Sequence, residues 1–319
     1  MIVYYHRDFD GIASAAILVE ALEAVRGEKD VRWAGVNYDR TLDWESFGIG
    51  QRFALVDFHF HRRAEYWFDH HPTTFLDPAD EAAYEESDTH HFDPTAPSCP
   101  PILVEHARRR WGWEPPRHFE ELVHWSNVID AARYASPEQA LFGLEPAIRV
   151  SRSLTCAPDD AYSDRLVHLL RTRPLARAAD DVDVDRCWQR SCRNRDAALE
   201  AFPAHVLERS PDVLLADLRS KKIRRERFAP FYLHPELHYA VTLLPTRAGA
   251  HITASRNPWN PPADDGVHLG ELMRGYGGGG HEGVGGCNPP DDATALLWGW
   301  EIYRTLRDRE RAAAGRGSA

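Results

Sequence analysis

The sequence has few cysteines and lysines and no long hydrophobic segment. Its five cysteines include no Cys-x-x-Cys pair, which argues against a zinc ribbon and against a disulfide framework. No apolar run approaches the roughly 18–20 residues that span a bilayer, and no signal peptide is recognisable at the N-terminus. From these absences we expect a cytoplasmic protein without a membrane partner.

Acidic residues outnumber basic ones: 49 aspartates and glutamates against 38 lysines and arginines, only three of them lysines, give a formal net charge of −11. This balance lacks the broad basic surface with which proteins hold long nucleic acids by their phosphates. It is compatible with a small phosphorylated substrate in a locally positive or metal-containing pocket. The basic segment 219–227 is an exception, and it either attracts phosphates or forms a solvated face.

The pattern of elements changes along the 319 residues, a length that suits two domains. In the first part, predicted strands alternate with helices, which favours an α/β domain with a mostly parallel sheet and helices on both faces. The later part favours a smaller α+β domain. We assign a catalytic domain to 1–179, a connecting helix to 180–205, a substrate-binding domain to 206–306 and a disordered tail to 307–319.

Strands are predicted at the N-terminus and over 31–39, 52–60 and 64–71, with a long loop over 72–101. The apolar spacing predicts helices over 12–25, 100–112, 118–135 and near 160–171. In the later part, strands are predicted over 212–218, 228–233, 237–245 and 250–256. A helix follows over 292–308.

Histidine and aspartate recur where the predicted strands end. Three such residues alternate after the first strand, one follows the third, three follow the fourth, and a lone acid interrupts the apolar segment WSNVIDAARY. They are His6, Asp8, Asp10, Asp57, Asp69, His70, His71 and Asp130. In parallel sheets, ligands bind beyond the carboxyl ends of the strands.

Grouped together, these side chains would give two divalent cations mixed nitrogen and oxygen ligands with a bridging carboxylate. That ligand set suits Mn²⁺, and two metals can activate water against a phosphoryl group. Taken singly, each motif is more often a turn, a helix cap or an ion-pair partner. Their agreement along one domain favours the metal site.

A second candidate site lies near the C-terminus. The glycines of GGGGHEGVGG allow a substrate close to the backbone, and His281 offers a donor to a phosphate. Arg256, after Ser255, has the forked guanidinium that suits a phosphate. The alternatives are a flexible linker for the glycines and a surface turn for Arg256.

The four segments HRDFDGIASA, LVDFHF, FDHHP and NVIDAARY resemble, in order, the motifs of the DHH phosphoesterase superfamily. GGGGHEGVGG is similar to the glycine-rich signature of the DHH-associated domain. The resemblance extends from residue 6 to about 286. The HxDxDG spacing disfavours the inorganic pyrophosphatase branch and resembles the RecJ-like and nanoRNase-like branches.

The resemblance implies roles residue by residue. His6, Asp8 and Asp57 would hold one Mn²⁺, and Asp10, Asp57, His70 and Asp130 the other, with Mg²⁺ or Co²⁺ as substitutes. Asp69 would orient a ligand histidine, and His71 would lie beside the scissile phosphate. Substrate contacts would come from Ser255, Arg256, Gly278, Gly279, Gly280 and His281.

The implied activity is the two-metal hydrolysis of short oligonucleotides to mononucleotides by a phosphodiesterase. Other substrates stay open: cyclic dinucleotides, 3′-phosphoadenosine phosphate and polyphosphate. A non-catalytic nucleotide-binding module is a further alternative. A homodimer is compatible with the sequence.

Overall fold

The computed structural model describes residues 1–37, 43–220, 224–246, 249–262 and 266–316. The end of the predicted strand 31–39, three residues of the basic segment 219–227, and residues 317–319 of the predicted tail lie outside them. The chain divides into two compact units. One contains Met1–Tyr134 and Leu144–Ser191, and the other contains Ala135–Gly143 and Cys192–Ala319.

The elements follow in chain order. The strands are β1 (Ile2–His6), β2 (Arg32–Val36), β3 (Phe53–Val56), β4 (Tyr66–Asp69), β5 (His90–Phe92), β6 (Val206–Arg209), β7 (Val213–Asp217), β8 (Tyr239–Thr246), β9 (Gly249–Arg256), β10 (Gly279–Gly280) and β11 (Val284–Cys287). The helices are α1 (Phe9–Val25), α2 (Pro78–Ala83), α3 (Cys99–Trp111), α4 (Phe119–Asp130), α5 (Pro137–Phe142), α6 (Pro146–Leu154), α7 (Ala161–Thr172), α8 (Leu175–Ala179), α9 (Val182–Ala201), α10 (Ala229–Leu233), α11 (Leu269–Arg274) and α12 (Asp292–Arg316). A short 3₁₀ helix spans Phe202–His205.

A five-stranded parallel sheet, in the order β2-β1-β3-β4-β5, forms the centre of the first unit. Every residue of β3 and β4 is buried, as expected for strands covered on both sides. Helices α1 and α3 pack on one face, against side chains that include Val3, Tyr5 and Phe68. This arrangement confirms the predicted fold class.

The opposite face of this sheet differs in one respect from the expectation of helices on both sides. Phe53, Leu55 and Trp67 are covered there by aromatic side chains from the segments 44–60 and 75–92. Among the described residues, the only helix in those segments is α2, none of whose residues is buried. Aromatic rings from the connections replace a second helical layer because they bury a large apolar area per residue.

The second unit has a six-stranded sheet in the order β10-β11-β9-β8-β7-β6. Neighbouring strands are antiparallel except for β7 and β8, which are parallel. Helix α12 packs on the sheet through Ala295, Ile302 and Leu306. This unit is the α+β part that the sequence predicted.

Three sequence predictions of local structure are wrong. The segment 228–233 is not a strand: it forms α10, with Pro230 in its first turn, where the missing N–H of proline does no harm. The predicted loop 72–101 contains α2, β5 and the start of α3. Residues 307–316 are not disordered, because they continue α12 to Arg316.

The extension of α12 has two physical causes. Alanine, arginine and glutamate are good helix formers, so the composition that resembled a tail also suits a helix. Glu310 is buried, and its Oε2 lies 2.6 Å from Nδ1 of His238, the residue directly before β8.

Within the described residues, no helix combines the length and the apolar character needed to cross a membrane.

Candidate metal centre

The carboxyl ends of three neighbouring strands carry the predicted ligands. The register aligns Tyr5 of β1 with Val56 of β3, and Val56 with Phe68 of β4. The next residues along these strands are His6, Asp57 and Asp69. Because the strands are parallel and adjacent, their ends meet at one edge of the sheet, and the side chains that follow them lie together.

The turn between β1 and α1 explains the HxDxDG spacing. His6 ends the strand, and Asp8 caps the helix by accepting a hydrogen bond from the Gly11 amide at 2.9 Å. Asp10 lies in the first turn of α1 and is buried. A Cβ on Gly11 would lie 2.1 Å from the carbonyl oxygen of His6, so only glycine fits there. The cap reading and the ligand reading of Asp8 are therefore compatible.

Asp57 lies at the centre of the cluster and is only 1% exposed. Its Oδ2 is 3.7 Å from Nδ1 of His6, and its Oδ1 is 3.6 Å from Nε2 of His70. Its φ angle of 54° is in the left-handed region, which aspartate tolerates better than most residues. The two carboxylate oxygens thus face histidines from two motifs, as a bridging ligand requires.

His70 joins the second group of ligands. Its Nε2 lies 3.6 Å from Asp10 Oδ2 and 3.5 Å from Asp130 Oδ2. Its Nδ1 lies 3.2 Å from the carbonyl oxygen of Ala96, which can only accept a hydrogen bond. Nδ1 therefore donates a proton to this carbonyl, and Nε2 is the ring atom that faces the carboxylates and could bind a metal ion.

Asp10 is oriented by the start of helix α3, where the amide of Cys99 donates to Asp10 Oδ2 at 2.8 Å. In the described part of the chain, the buried atoms Asp10 Oδ1 and His70 Nε2 make no hydrogen bond. Buried polar atoms normally have a partner. A divalent cation would supply one to both, so the residues present fit a metal ion.

Asp69 orients a different histidine from the one expected. Its Oδ1 is 2.9 Å from Nδ1 of His71, whereas His70, the predicted ligand, is oriented by the Ala96 carbonyl. Asp69 is fully buried, so the pair is fixed. The pairing leaves Nε2 of His71 as the atom that can serve a substrate.

The crowding of charged groups shifts the pKa values of several residues in the cluster. Burial, followed by the repulsion of nearby carboxylates, raises the pKa of Asp10 well above its usual range and that of Asp130 to about 7. Burial opposes protonation of His6, but Asp8 and Asp57 outweigh it and raise the His6 pKa to about 11. Divalent cations bound at these atoms would compete with protons for them.

Three overlapping groups of potential ligands result, and in each group one ligand atom per residue lies within 4.8 Å of the others. They are His6, Asp8 and Asp57; Asp10, His70 and Asp130; and Asp57, His70 and His71. The structure thus brings together all six predicted metal ligands with His71. The contacts that the backbone groups of Ala96 and Cys99 make with His70 and Asp10 were not predicted, because the sequence carries no signal for a main-chain contact.

The glycine-rich segment forms a hairpin and not an open loop. Strands β10 and β11 pair antiparallel, and β11 pairs with β9 so that Val284 lies opposite Ser255. A Cβ on Gly278 would lie 2.1 Å from the Gly286 carbonyl oxygen, and one on Gly280 would lie 2.3 Å from that of Val284. Close packing therefore accounts for these glycines. The Gly278 and His281 amides are hydrogen-bonded within the fold.

The predicted phosphate contacts of the second unit lie close to this hairpin. The Arg256 amide donates to the Gly283 carbonyl oxygen at 2.8 Å, and the Arg256 guanidinium pairs with Glu282 at 3.0 Å. Gly279 lies in β10, and His281 is exposed directly after it. With these amides occupied, an anion would be held mainly by side chains.

Neither a protein-family model nor a curated protein matches the chain. Solved structures do match. A pGpG-specific phosphodiesterase from Vibrio cholerae superposes with a TM-score of 0.67 at 16% identity, over 98% of this chain and 99% of that one. The chain shares the fold of this phosphodiesterase. The DHH domain of a member of the s1p family of ribosomal proteins gives 0.56 at 14% identity, over 89% of this chain and 81% of that one.

RecJ with Mg²⁺ from Thermus thermophilus shares the DHH fold with a TM-score of 0.52 at 16% identity. The match covers 99% of this chain, which spans about half of RecJ (49%). At these identities, the likeness establishes the fold alone. The four motif segments lie at the ends of β1, β3, β4 and α4, where the cluster of potential ligands lies.

Proposed function

We propose that the chain is a metal-dependent phosphodiesterase that hydrolyses short oligonucleotides to mononucleotides, with two Mn²⁺ ions as its cofactors. The observation that carries the proposal is the position of Asp57, whose two oxygens face histidines of separate motifs. A carboxylate in that position is the natural bridge between two cations. Shared ligation of this kind is typical of two-metal hydrolysis.

His6, Asp8 and Asp57 would hold one cation, and Asp10, Asp57, His70 and Asp130 would hold the other. Bound there, the two cations would supply an activated water and neutralise charge on the phosphoryl oxygens. The chain's contribution is to fix the ligands before binding, through the Ala96 carbonyl on His70 and the Cys99 amide on Asp10.

His71 is proposed to serve the phosphate directly. Burial opposes its protonation, but the hydrogen bond to Asp69 and the negative charges of Asp69, Asp57 and Asp130 together outweigh that effect and raise the pKa of His71 to about 9. The ring is then an imidazolium at neutral pH. Nδ1–H is held by Asp69, so Nε2–H is the proton that His71 can donate to a phosphoryl oxygen.

Short substrates are favoured by charge. The net charge of −11 gives a long polyanion little general attraction, whereas a dinucleotide needs only local contacts. The fold match to a pGpG-specific phosphodiesterase covers nearly the whole of both chains and supports a substrate of this size. Ser255, Arg256 and His281 are proposed to bind the substrate through their side chains, and Gly278, Gly279 and Gly280 are proposed to contribute the hairpin backbone beside it.

The test is a parallel assay of the purified protein with Mn²⁺. The panel contains RNA and DNA of two to seven nucleotides, linear and cyclic dinucleotides, 3′-phosphoadenosine phosphate and polyphosphate. We expect mononucleotide release from the short linear oligonucleotides. Turnover of only a cyclic dinucleotide, the bisphosphate or polyphosphate would overturn the proposed substrate.

Asp57→Asn is the decisive variant because asparagine also tolerates the left-handed backbone, so the fold should be kept while the charge is lost. Asp180→Asn is the matched control, since Asp180 lies on the surface of the same unit. Activity should disappear only in Asp57→Asn. Metal binding without turnover of any compound would instead support a nucleotide-binding module.

A further inference from the structure

A second cluster of metal-binding side chains lies at the outer edge of the first sheet, where the sequence has two adjacent histidines. Strand β5 aligns His90 with Trp67 and His91 with Phe68. Successive strand residues point to opposite faces. His91 therefore lies on the face that carries helix α3, and its ring centroid is 5.4 Å from that of His106.

Glu86 completes the cluster from the segment before β5. Its Oε1 lies 3.2 Å from Nδ1 of His91. One ligand atom each from Glu86, His91 and His106 lies within 4.8 Å of the other two. None of these residues belongs to the candidate metal centre.

The contacts of the two histidines leave one ring nitrogen of each for a cation. His106 is buried, and its Nε2 lies 3.0 Å from the carbonyl oxygen of Asp88, which can only accept. The proton is thus on Nε2, and the lone pair is on Nδ1. Nδ1 of His91 is a buried atom that faces Oε1 of Glu86 at 3.2 Å, so a cation could bind there between the two side chains. A carbonyl that holds the far nitrogen of a histidine is typical of metal ligation.

We propose that Glu86, His91 and His106 form a Zn²⁺ site that is distinct from the candidate metal centre. This Zn²⁺ site would join strand β5 and the segment before it to helix α3. Two imidazoles and one carboxylate form a ligand set that Zn²⁺ takes in proteins, with water in the fourth position. Tetrahedral bonds of about 2.0–2.2 Å place ligand atoms roughly 3.5 Å apart. The Glu86–His91 pair is already near that spacing.

Arg110 provides an internal test of this assignment. Its Nη2 lies 3.3 Å from Oε1 of Glu86, so its positive charge competes with a cation for the same oxygen. Arg110 and Glu86 are both half-exposed, so replacing either should leave the fold intact. Loss of Glu86 should weaken Zn²⁺ binding, and loss of Arg110 should strengthen it.

The experiment measures Zn²⁺ bound to the full chain by equilibrium dialysis and metal analysis. Glu86→Gln should bind one equivalent fewer than the wild type, or bind that equivalent at least about tenfold more weakly. Glu85→Gln removes the same charge from the neighbouring exposed residue and should bind as the wild type does. Arg110→Gln should bind the same equivalent more tightly.

Thermal unfolding gives a second measurement. Zn²⁺ should raise the midpoint of the wild type and of Glu85→Gln by several degrees more than that of Glu86→Gln. Mn²⁺-dependent hydrolysis should be the same in all three proteins, because the two sites share no residue. Equal Zn²⁺ stoichiometry and affinity in the wild type, Glu86→Gln and Arg110→Gln would overturn the proposal.

Discussion

Asp130→Asn should stabilise the metal-free protein at alkaline pH, although Asp130 is a proposed metal ligand. Burial and the carboxylates of Asp8 and Asp57 raise the Asp130 pKa from 3.8 to about 7. A carboxyl whose pKa is raised on folding costs stability as the pH rises from the unfolded value through the folded one. At pH 8 the full cost is present, and at pH 3.8 or below it is absent.

The magnitude has an upper limit of roughly 4 kcal/mol, at about 1.4 kcal/mol per tenfold change in proton affinity. Nε2 of His70 lies 3.5 Å from Oδ2 of Asp130 and attracts the carboxylate. Asp130→Asn loses this attraction, which offsets part of the gain in stability. We therefore expect Asp130→Asn to raise the free energy of unfolding at pH 8 by about 1–2 kcal/mol. At pH 5 the effect should be much smaller.

The assay is urea unfolding in the presence of a chelator at pH 5 and pH 8, with Asp180→Asn as the surface control. Because the chain has two units, the relevant transition is the one that Mn²⁺ shifts in the wild type. With Mn²⁺ the order should reverse, because the variant loses a ligand and gains less from the ion. Equal destabilisation of Asp130→Asn at both pH values in chelator would refute the reasoning.

Three further predictions follow from the same site. Mn²⁺ affinity should rise between pH 6 and 8, because the Asp130 carboxyl, with a pKa of about 7, must lose its proton to bind the ion. Calorimetry in two buffers should detect the released proton, and an affinity that does not change with pH would contradict the prediction. Asp69→Asn should lower kcat by about 10–100-fold and move the alkaline limb of the pH profile of kcat to lower pH, because the His71 pKa of about 9 depends on this carboxylate. An alkaline limb at the same pH in the variant would be inconsistent with His71 as the proton donor. Gly11→Ala should destabilise the fold by about 1–3 kcal/mol, since its Cβ would lie 2.1 Å from the His6 carbonyl oxygen; an unchanged melting temperature would show that the turn relaxes.

Much of the candidate metal centre could be predicted from the sequence because its residues obey one topological rule. Parallel neighbouring strands end at the same edge, so a histidine or aspartate at each strand end must converge. His6, Asp57 and His70 follow that rule directly. Asp130 could be placed only through the family resemblance, because nothing in its spacing shows that α4 ends at the same edge.

Contacts made by the main chain could not be predicted. The Ala96 carbonyl and the Cys99 amide orient two of the predicted ligands, yet any residue could supply the carbonyl, and any residue except proline the amide. The glycines of the hairpin show a related ambiguity. A missing Cβ admits either a substrate or a neighbouring backbone, and at Gly278 and Gly280 it admits backbone.

The local composition of some segments is compatible with more than one secondary structure, and tertiary contacts decide which one forms. The segment 228–233 has the aromatic content of a strand, but Pro230 cannot donate to a ladder and suits the first turn of a helix. The charged end of α12 lacks an apolar stripe that would mark it as packed. It is held in part by the contact between Glu310 and His238, which lie 72 positions apart in the chain.

The central claim is that Asp57 bridges two cations. The most direct measurement is anomalous X-ray diffraction from crystals of the full chain grown with Mn²⁺. The account predicts two anomalous peaks, one beside His6 and Asp8 and the other beside Asp10, His70 and Asp130, each ligated by a different oxygen of Asp57. A single peak, or two peaks without a shared Asp57 carboxylate, would contradict it.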